Sequence, residues 1–174
     1  MSNRIGKYIL RKRAKSVVRD KQVQNFKSAK LVVIIFDAMI PDCIQPVKDM
    51  VKFLREKDIK SHVIGYVPHK EIPDEMLLWK NFHYITKKDM TWYGTPKGEV
   101  TEAFLGMEPE ILLVISLNEQ FVIEYLVKLS KAKFKVGYYT ENENDYDLMI
   151  NTGKDQRTEY YLEQVRNYIN MLNS

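Results

Sequence analysis

Apolar residues along this chain fall into two registers. Leu31–Phe36 (LVVIIF), His62–Val67 (HVIGYV), Ile111–Leu117 (ILLVISL) and Phe134–Tyr139 (FKVGYY) are almost continuous apolar runs. Between them the spacing changes to three and four: Val47, Met50, Val51 and Leu54 in one interval, and Phe121, Val122, Tyr125, Leu126 and Leu129 in the other. Short continuous runs suit strands covered on both faces, and the intervening spacing suits amphipathic helices. Two strand-helix-strand units in succession predict a parallel sheet between helical layers.

The punctuation fits this reading. Pro46 belongs to a helix first turn, where its missing N–H costs nothing, and Lys57 and Lys60 suit the end of that helix. The second strand stops at Pro68. Pro73 opens a short helix through Trp79, Phe82–Ile85 is a short third strand, and Thr91–Gly98 (TWYGTPKG) is a loop by its Gly and Pro content. Glu99–Leu105 reads as a helix stopped by Gly106. Asn118 is the expected N-cap of the helix after the fourth strand, with Glu119 in its first turn. Leu148–Ile150 is a sixth strand after the acidic stretch Glu141–Asp147. The last helix is Gln156–Leu172, burying Tyr161, Leu162, Val165, Tyr168, Ile169 and Leu172. The expected fold is an α/β three-layer sandwich with a mostly parallel sheet of five or six strands, Rossmann-like or flavodoxin-like, with right-handed crossovers. With 174 residues and 20 aromatic side chains the chain can bury a sizeable core.

Charge divides the chain. Residues 1–27 carry nine basic residues and one acid, Asp20, for a net charge of +8; the remaining eighteen basic and twenty-two acidic residues give −4. The expected organisation is a basic N-terminal helix or arm over residues 1–27 and a single α/β domain over 28–174. Residues 3–20 lack proline, and Ile5, Tyr8, Ile9, Val17 and Val18 form a broken apolar stripe, so the arm is either a docked helix or a mobile tail. Arg11, Lys12, Arg13, Lys15 and Arg19 are its candidate polyanion contacts. Nucleic acid, an anionic membrane surface and an acidic protein are the partners such a segment fits. The bland alternative is a solvated helix face.

No apolar run approaches the roughly 20 residues of a membrane span, and Tyr8–Leu10 runs directly into Arg11, Lys12 and Arg13 where a secretory signal needs about 7–15 apolar residues. A cytoplasmic location is expected. The lone Cys43 forms no intrachain disulfide and fits a reducing compartment.

In an open parallel sheet, ligands favour the crevice beyond the strand C-termini, at the switch in strand order. That rule selects Asp37 and Asp42 after the first strand, His69 after the second, Ser116 and Asn118 at the end of the fourth, and Thr140 and Asn151 after the fifth and sixth. Asp37 suits a ribose hydroxyl, a metal or a basic partner; it equally suits a turn in its own loop. Ser116 and Asn118 are ligand contacts or helix caps. Trp92, Tyr93 and Lys97 combine aromatic faces with a cation, a pattern that stacks a base or sugar and holds a phosphate. Their alternative role is an aromatic plug over the sheet edge.

Other chemistry has little support. Cys43 lies near a helix start, where a thiol's pKa can fall, but no histidine is near it in sequence. His62, His69 and His83 lack metal-ligand spacing. The sequence after Phe36 is DAMIPDC, without a glycine-rich phosphate loop, and no Gly-x-Ser-x-Gly elbow occurs. No catalytic residue, metal or cofactor is implied.

The strings IIFDA (Ile34–Ala38), GYV (Gly65–Val67), WYGTPK (Trp92–Lys97), SLN (Ser116–Asn118), SKAKFKVG (Ser130–Gly137) and YDLMI (Tyr146–Ile150), behind a basic N-terminal helix, resemble a family of short bacterial proteins classed as a domain of unknown function. The resemblance spans nearly the whole chain and implies a shared fold, with no activity, cofactor or catalytic residue attached. Ala132–Tyr138 is more weakly similar to the N-terminal half of heptosyltransferase-type glycosyltransferases, whose second domain supplies the nucleotide-sugar site. Two functions follow as expectations: a non-catalytic α/β binding module whose basic arm contacts a polyanion or acidic partner, or a nucleotide or sugar-phosphate binder using the strand-end crevice. Oligomeric state is open.

Overall fold

The computed structural model describes residues 2–79 and 81–173. Six strands, β1 (Leu31–Asp37), β2 (Lys60–Val67), β3 (Phe82–Thr86), β4 (Ile111–Ile115), β5 (Phe134–Tyr138) and β6 (Leu148–Ile150), form one sheet in the order β3-β2-β1-β4-β5-β6. Every pairing is parallel. This is the doubly wound order of Rossmann-like folds, and the strand order reverses between β1 and β4.

Side-chain alternation sorts the core into two faces. Val32, Ile34 and Phe36 of β1, with Ile111, Leu113 and Ile115 of β4, meet Val47, Met50 and Leu54 of α2 (Ile44–Glu56) and Tyr161, Leu162, Val165 and Ile169 of α6 (Thr158–Met171). Val33, Ile35, Leu112 and Val114 face the other way, toward Phe104 of α4 (Glu99–Leu105) and Val122, Ile123, Leu126 and Val127 of α5 (Phe121–Leu129). The five core residues of β4 are fully buried, which explains its lack of polar alternation. α3 (Asp74–Leu77) is a single turn preceded by Pro73. Tyr168, expected in the core, is half exposed on α6.

The basic segment is a docked helix. α1 (Ser2–Ala14) sets Leu10 against Tyr125 and Leu129 of α5, with Ala14 and Val17 alongside. Gly6 permits the close approach: a Cβ there would lie 2.6 Å from the Tyr93 carbonyl oxygen and 3.1 Å from the Phe121 ring. α1 thus forms a partial fourth layer outside α5.

Two departures from expectation bear on the site. β4 ends at Ile115, two residues early, and α5 starts at Phe121 behind Gln120, so Asn118 is not its N-cap. The Ser116 hydroxyl donates instead to the Asn118 carbonyl (2.8 Å), making a turn that delays the helix. In addition, β4 and β5 separate. Their ladder stops at Leu113–Val136, while β5 stays paired with β6 to Tyr138–Ile150. Beyond the last β4–β5 pair, the Val114 carbonyl accepts a hydrogen bond from the Tyr161 hydroxyl of α6 (2.9 Å).

Candidate functional site

All six strands end on one rim, and Asp37 and Ser116 leave it side by side, one residue beyond the Phe36–Ile115 pair. Asp37 is only 3% exposed. Its Oδ1 accepts the Met39 N–H (3.0 Å), closing the turn after β1, and its Oδ2 accepts the Gln120 side-chain amide (2.7 Å). Asp37 therefore ties β1 to the start of α5 across the switch point. Gln120 is a residue that local sequence pattern does not mark, because its partner is 83 residues away.

The open part of the rim lies next door, where β4 and β5 part. A cleft of about 430 Å3 forms there, lined by Ser116, Asn118 and Gln120 below α5 and by Tyr139, Thr140, Asn142 and Asn144 of the β5–β6 loop. Lys7 of α1 reaches its edge. The loop is clasped over α5 by Asn142 on the Glu119 carboxylate and by Lys128 on Asp145 (3.1 Å). Gly137 allows Tyr146 to lie flat on β5, since a Cβ there would sit 2.5 Å from the ring. Four carboxylates (Glu119, Glu124, Glu143, Asp145) and two lysines (Lys7, Lys128) line this cleft. Its field favours neutral or cationic polar ligands and opposes a polyphosphate.

Trp92, Tyr93 and Lys97 are elsewhere; none is a lining residue of the cleft among the described residues. Their loop closes on itself. Thr91 N–H donates to the Thr95 carbonyl (2.9 Å), Thr95 N–H donates to the Thr91 hydroxyl (3.1 Å), and Met90 bridges Pro96. Gly94, at φ 85°, supplies the left-handed turn. Trp92 is 76% exposed and edge-on to Tyr93, whose carbonyl abuts Gly6. The string braces α1 and leaves one indole in solvent.

The five arm cations separate into two groups. Arg13 donates to the Tyr125 hydroxyl and lies over the Tyr125 ring, and Arg19 is spent on Asp147 and on the Ala132 and Lys133 carbonyls. Lys21 joins Asp147 at 2.8 Å. Burial pushes the Asp147 carboxyl upward, but Arg19, Lys21 and the Lys135 N–H outweigh it and hold its pKa below the usual carboxylate value. Arg11, Lys12 and Lys15 are exposed and, among the described residues, make no ion pair; Arg4 and Lys7 are in the same condition. Arg4, Tyr8, Arg11, Lys12 and Lys15 recur at three- and four-residue spacing, so they share the face turned away from α5.

Cys43 is 1% exposed at the start of α2, and burial together with the nearby Asp37 pushes its thiol up to about 11, opposite to the activation its position suggested. His62 and His83 stack on neighbouring strands at 5.8 Å, and His69 is exposed. Among the described residues, no group of three His, Cys, Asp or Glu is placed to hold a metal ion, and no helix is long and apolar enough to cross a membrane.

No curated protein matches this chain. A family of unknown function, DUF6913, matches over residues 3–172, and by that coverage the chain belongs to it.

Proposed function

We propose that this protein is a non-catalytic binding module that contacts a polyanion through the exposed face of α1. The observation that carries the reading is the row Arg4, Arg11 and Lys12, flanked by Lys7, on a helix without an acidic residue, with Lys15 in the turn that follows it. Docking on α5 holds these cations on a rigid scaffold, so little side-chain and backbone order is lost when phosphates arrive. The half-exposed Ile5 and the exposed Tyr8 lie among them. The test is retention on heparin and binding to a fluorescent oligonucleotide by the full chain and by an Arg11→Ser/Lys12→Ser/Lys15→Ser variant. The variant elutes at lower salt, and the slope of log K against log salt falls by about 2. Equal elution of the two proteins removes the proposal.

A second reading rests on the cleft between β4 and β5. Its volume and its amide and hydroxyl lining suit a small polar ligand. The carboxylate excess turns this reading away from nucleotides and sugar phosphates, toward neutral or amine-bearing molecules. A thermal-shift screen of sugars, amino sugars and polyamines tests it: a hit abolished by Asn118→Ala supports it, and a response unchanged in that variant places the ligand elsewhere.

A further inference from the structure

We propose that the N-terminus of α6 is a binding site for a phosphoryl oxyanion, with the Tyr138 and Thr158 hydroxyls as its inner donors. α6 is 14 residues long and begins without a side-chain cap, because Arg157 precedes it in extended conformation and its guanidinium is on Asp155. The first N–H to bond backward is that of Tyr161, to the Arg157 carbonyl (3.1 Å). The N–H groups of Thr158, Glu159 and Tyr160 have no intrahelical partner, and they lie at the positive end of the helix.

The independent observation is a pair of orphaned hydroxyls at this same point. Tyr138 is 8% exposed and Thr158 4%, and among the described residues neither hydroxyl oxygen has a hydrogen-bond partner. The Tyr138 ring stacks on Tyr161 of the first helical turn with centroids 3.8 Å apart and planes 16° apart, which holds its hydroxyl beside Thr158. The two hydroxyls are close enough for Thr158 to offset part of the upward push that burial gives the Tyr138 phenol. Buried polar groups are almost always satisfied, and an unsatisfied one points to a group that belongs there.

The approach is through the β6–α6 loop, Asn151–Arg157, where Gly153 takes φ 59° and Lys154 is exposed. The nearby acids do not fill the site. Asp155 is neutralised by Arg157, and Glu159 lines the groove between α6 and α2. One anionic oxygen placed between the two hydroxyls, with the others on the helix N–H groups, satisfies every orphan donor at once. The site is independent of the basic face of α1.

The experiment measures the melting temperature of the full chain against inorganic phosphate, with chloride at matched ionic strength as control and glucose 6-phosphate as a second probe. A saturable rise of about 5 °C is expected with phosphate and none with chloride. The probe with the lower half-saturation concentration identifies the source as free phosphate or an ester. Tyr138→Phe and Thr158→Val abolish the rise, and without phosphate they melt no lower than the wild type, since each removes an unpartnered buried hydroxyl. The Arg11→Ser/Lys12→Ser/Lys15→Ser variant keeps the rise. A wild type that does not distinguish phosphate from chloride overturns the proposal, as do Tyr138→Phe and Thr158→Val variants that respond like it. Variants that melt well below the wild type without phosphate also overturn it, because the hydroxyls would then already have partners.

Discussion

Lys135 buries its amine under α5, donating to the Val127 carbonyl at 2.6 Å, and it is 3% exposed. Burial, aided by Arg19, lowers its pKa to about 8 despite Asp145 and Asp147. The unfolded chain, with a lysine near 10.5, binds that proton more tightly than the folded one, so stability is lowest below pH 8 and rises as pH climbs toward 10.5. The full difference is about 3 kcal/mol by the usual conversion. Tyrosines work in the other direction. Burial pushes Tyr84 and Tyr146 up to about 12, so the folded state keeps their protons and loses stability as pH rises beyond about 10. The buried Cys43 thiol, raised from 9.0 to about 11, acts the same way beyond about pH 9, so urea unfolding at pH 7, 8 and 9 is expected to show rising stability, followed by a decline toward pH 10 and above. In Lys135→Met the rise between pH 8 and 9 disappears; a wild-type curve parallel to that of Lys135→Met from pH 7 to 10 would refute the assignment. Asp147 is the counterpart on the acid side. Its carboxylate is nearly buried beneath Arg19 and Lys21, and Asp147→Asn leaves Arg19 uncompensated, at a cost of about 3 kcal/mol in the same urea measurement at pH 7.

At the scale of elements, α1 and the chain after it are held by few points that are each specific. Gly6→Ala drives a Cβ into the Tyr93 carbonyl, a backbone atom that has no rotamer to change. The expected loss is about 2 kcal/mol, with faster trypsin cleavage at the exposed Arg11 and Lys12; unchanged cleavage would mean that α1 does not rely on this approach. Docking also means that removing residues 1–26 uncovers Leu129 and Tyr125 and destabilises the body, so point substitutions on the exposed face test binding more cleanly than truncation. The sequence pattern located α4 and β6 to the residue and the buried face and end of α5, because Gly106 and the spacing of Phe121 to Leu129 are local signals, but it started α5 two residues early. The placement of a rim at Asp37 and Ser116 was legible for the same reason: continuous apolar strands with helical connections leave few alternatives to a parallel sheet. What the rim holds was not legible. The Gln120–Asp37 link and the Asn142–Glu119 and Lys128–Asp145 clasps join residues far apart in sequence, and no propensity or spacing signals them. Asn118 misled because a cap-forming residue type is also a turn-forming one, and the Ser116 hydroxyl decided between the two.

For the whole molecule, charge and topology are arranged together. Arg13, on the Tyr125 hydroxyl, and the ion-paired Arg19 and Lys21 join α1 and its trailing segment to the body, while the other cations face outward. The acidic β5–β6 loop lies beyond α5, with Lys7 at the cleft edge between the two fields. Mutating the outward cations is therefore expected to change polyanion binding by tenfold or more at low salt while shifting the melting temperature by less than 2 °C, because surface charges contribute little to stability. A loss of binding matched by a loss of stability would instead place those side chains in the packing.

The dependence of α1 on α5 and on Asp147 also fixes an order of events during synthesis. Leu10 and its neighbours have no surface to rest on until residues 121–129 have been made, and Arg19 waits for residue 147. Throughout that interval an uncovered, strongly cationic stretch trails from a particle whose own surface is polyanionic RNA. Its withdrawal onto α5 cannot precede the synthesis of that helix.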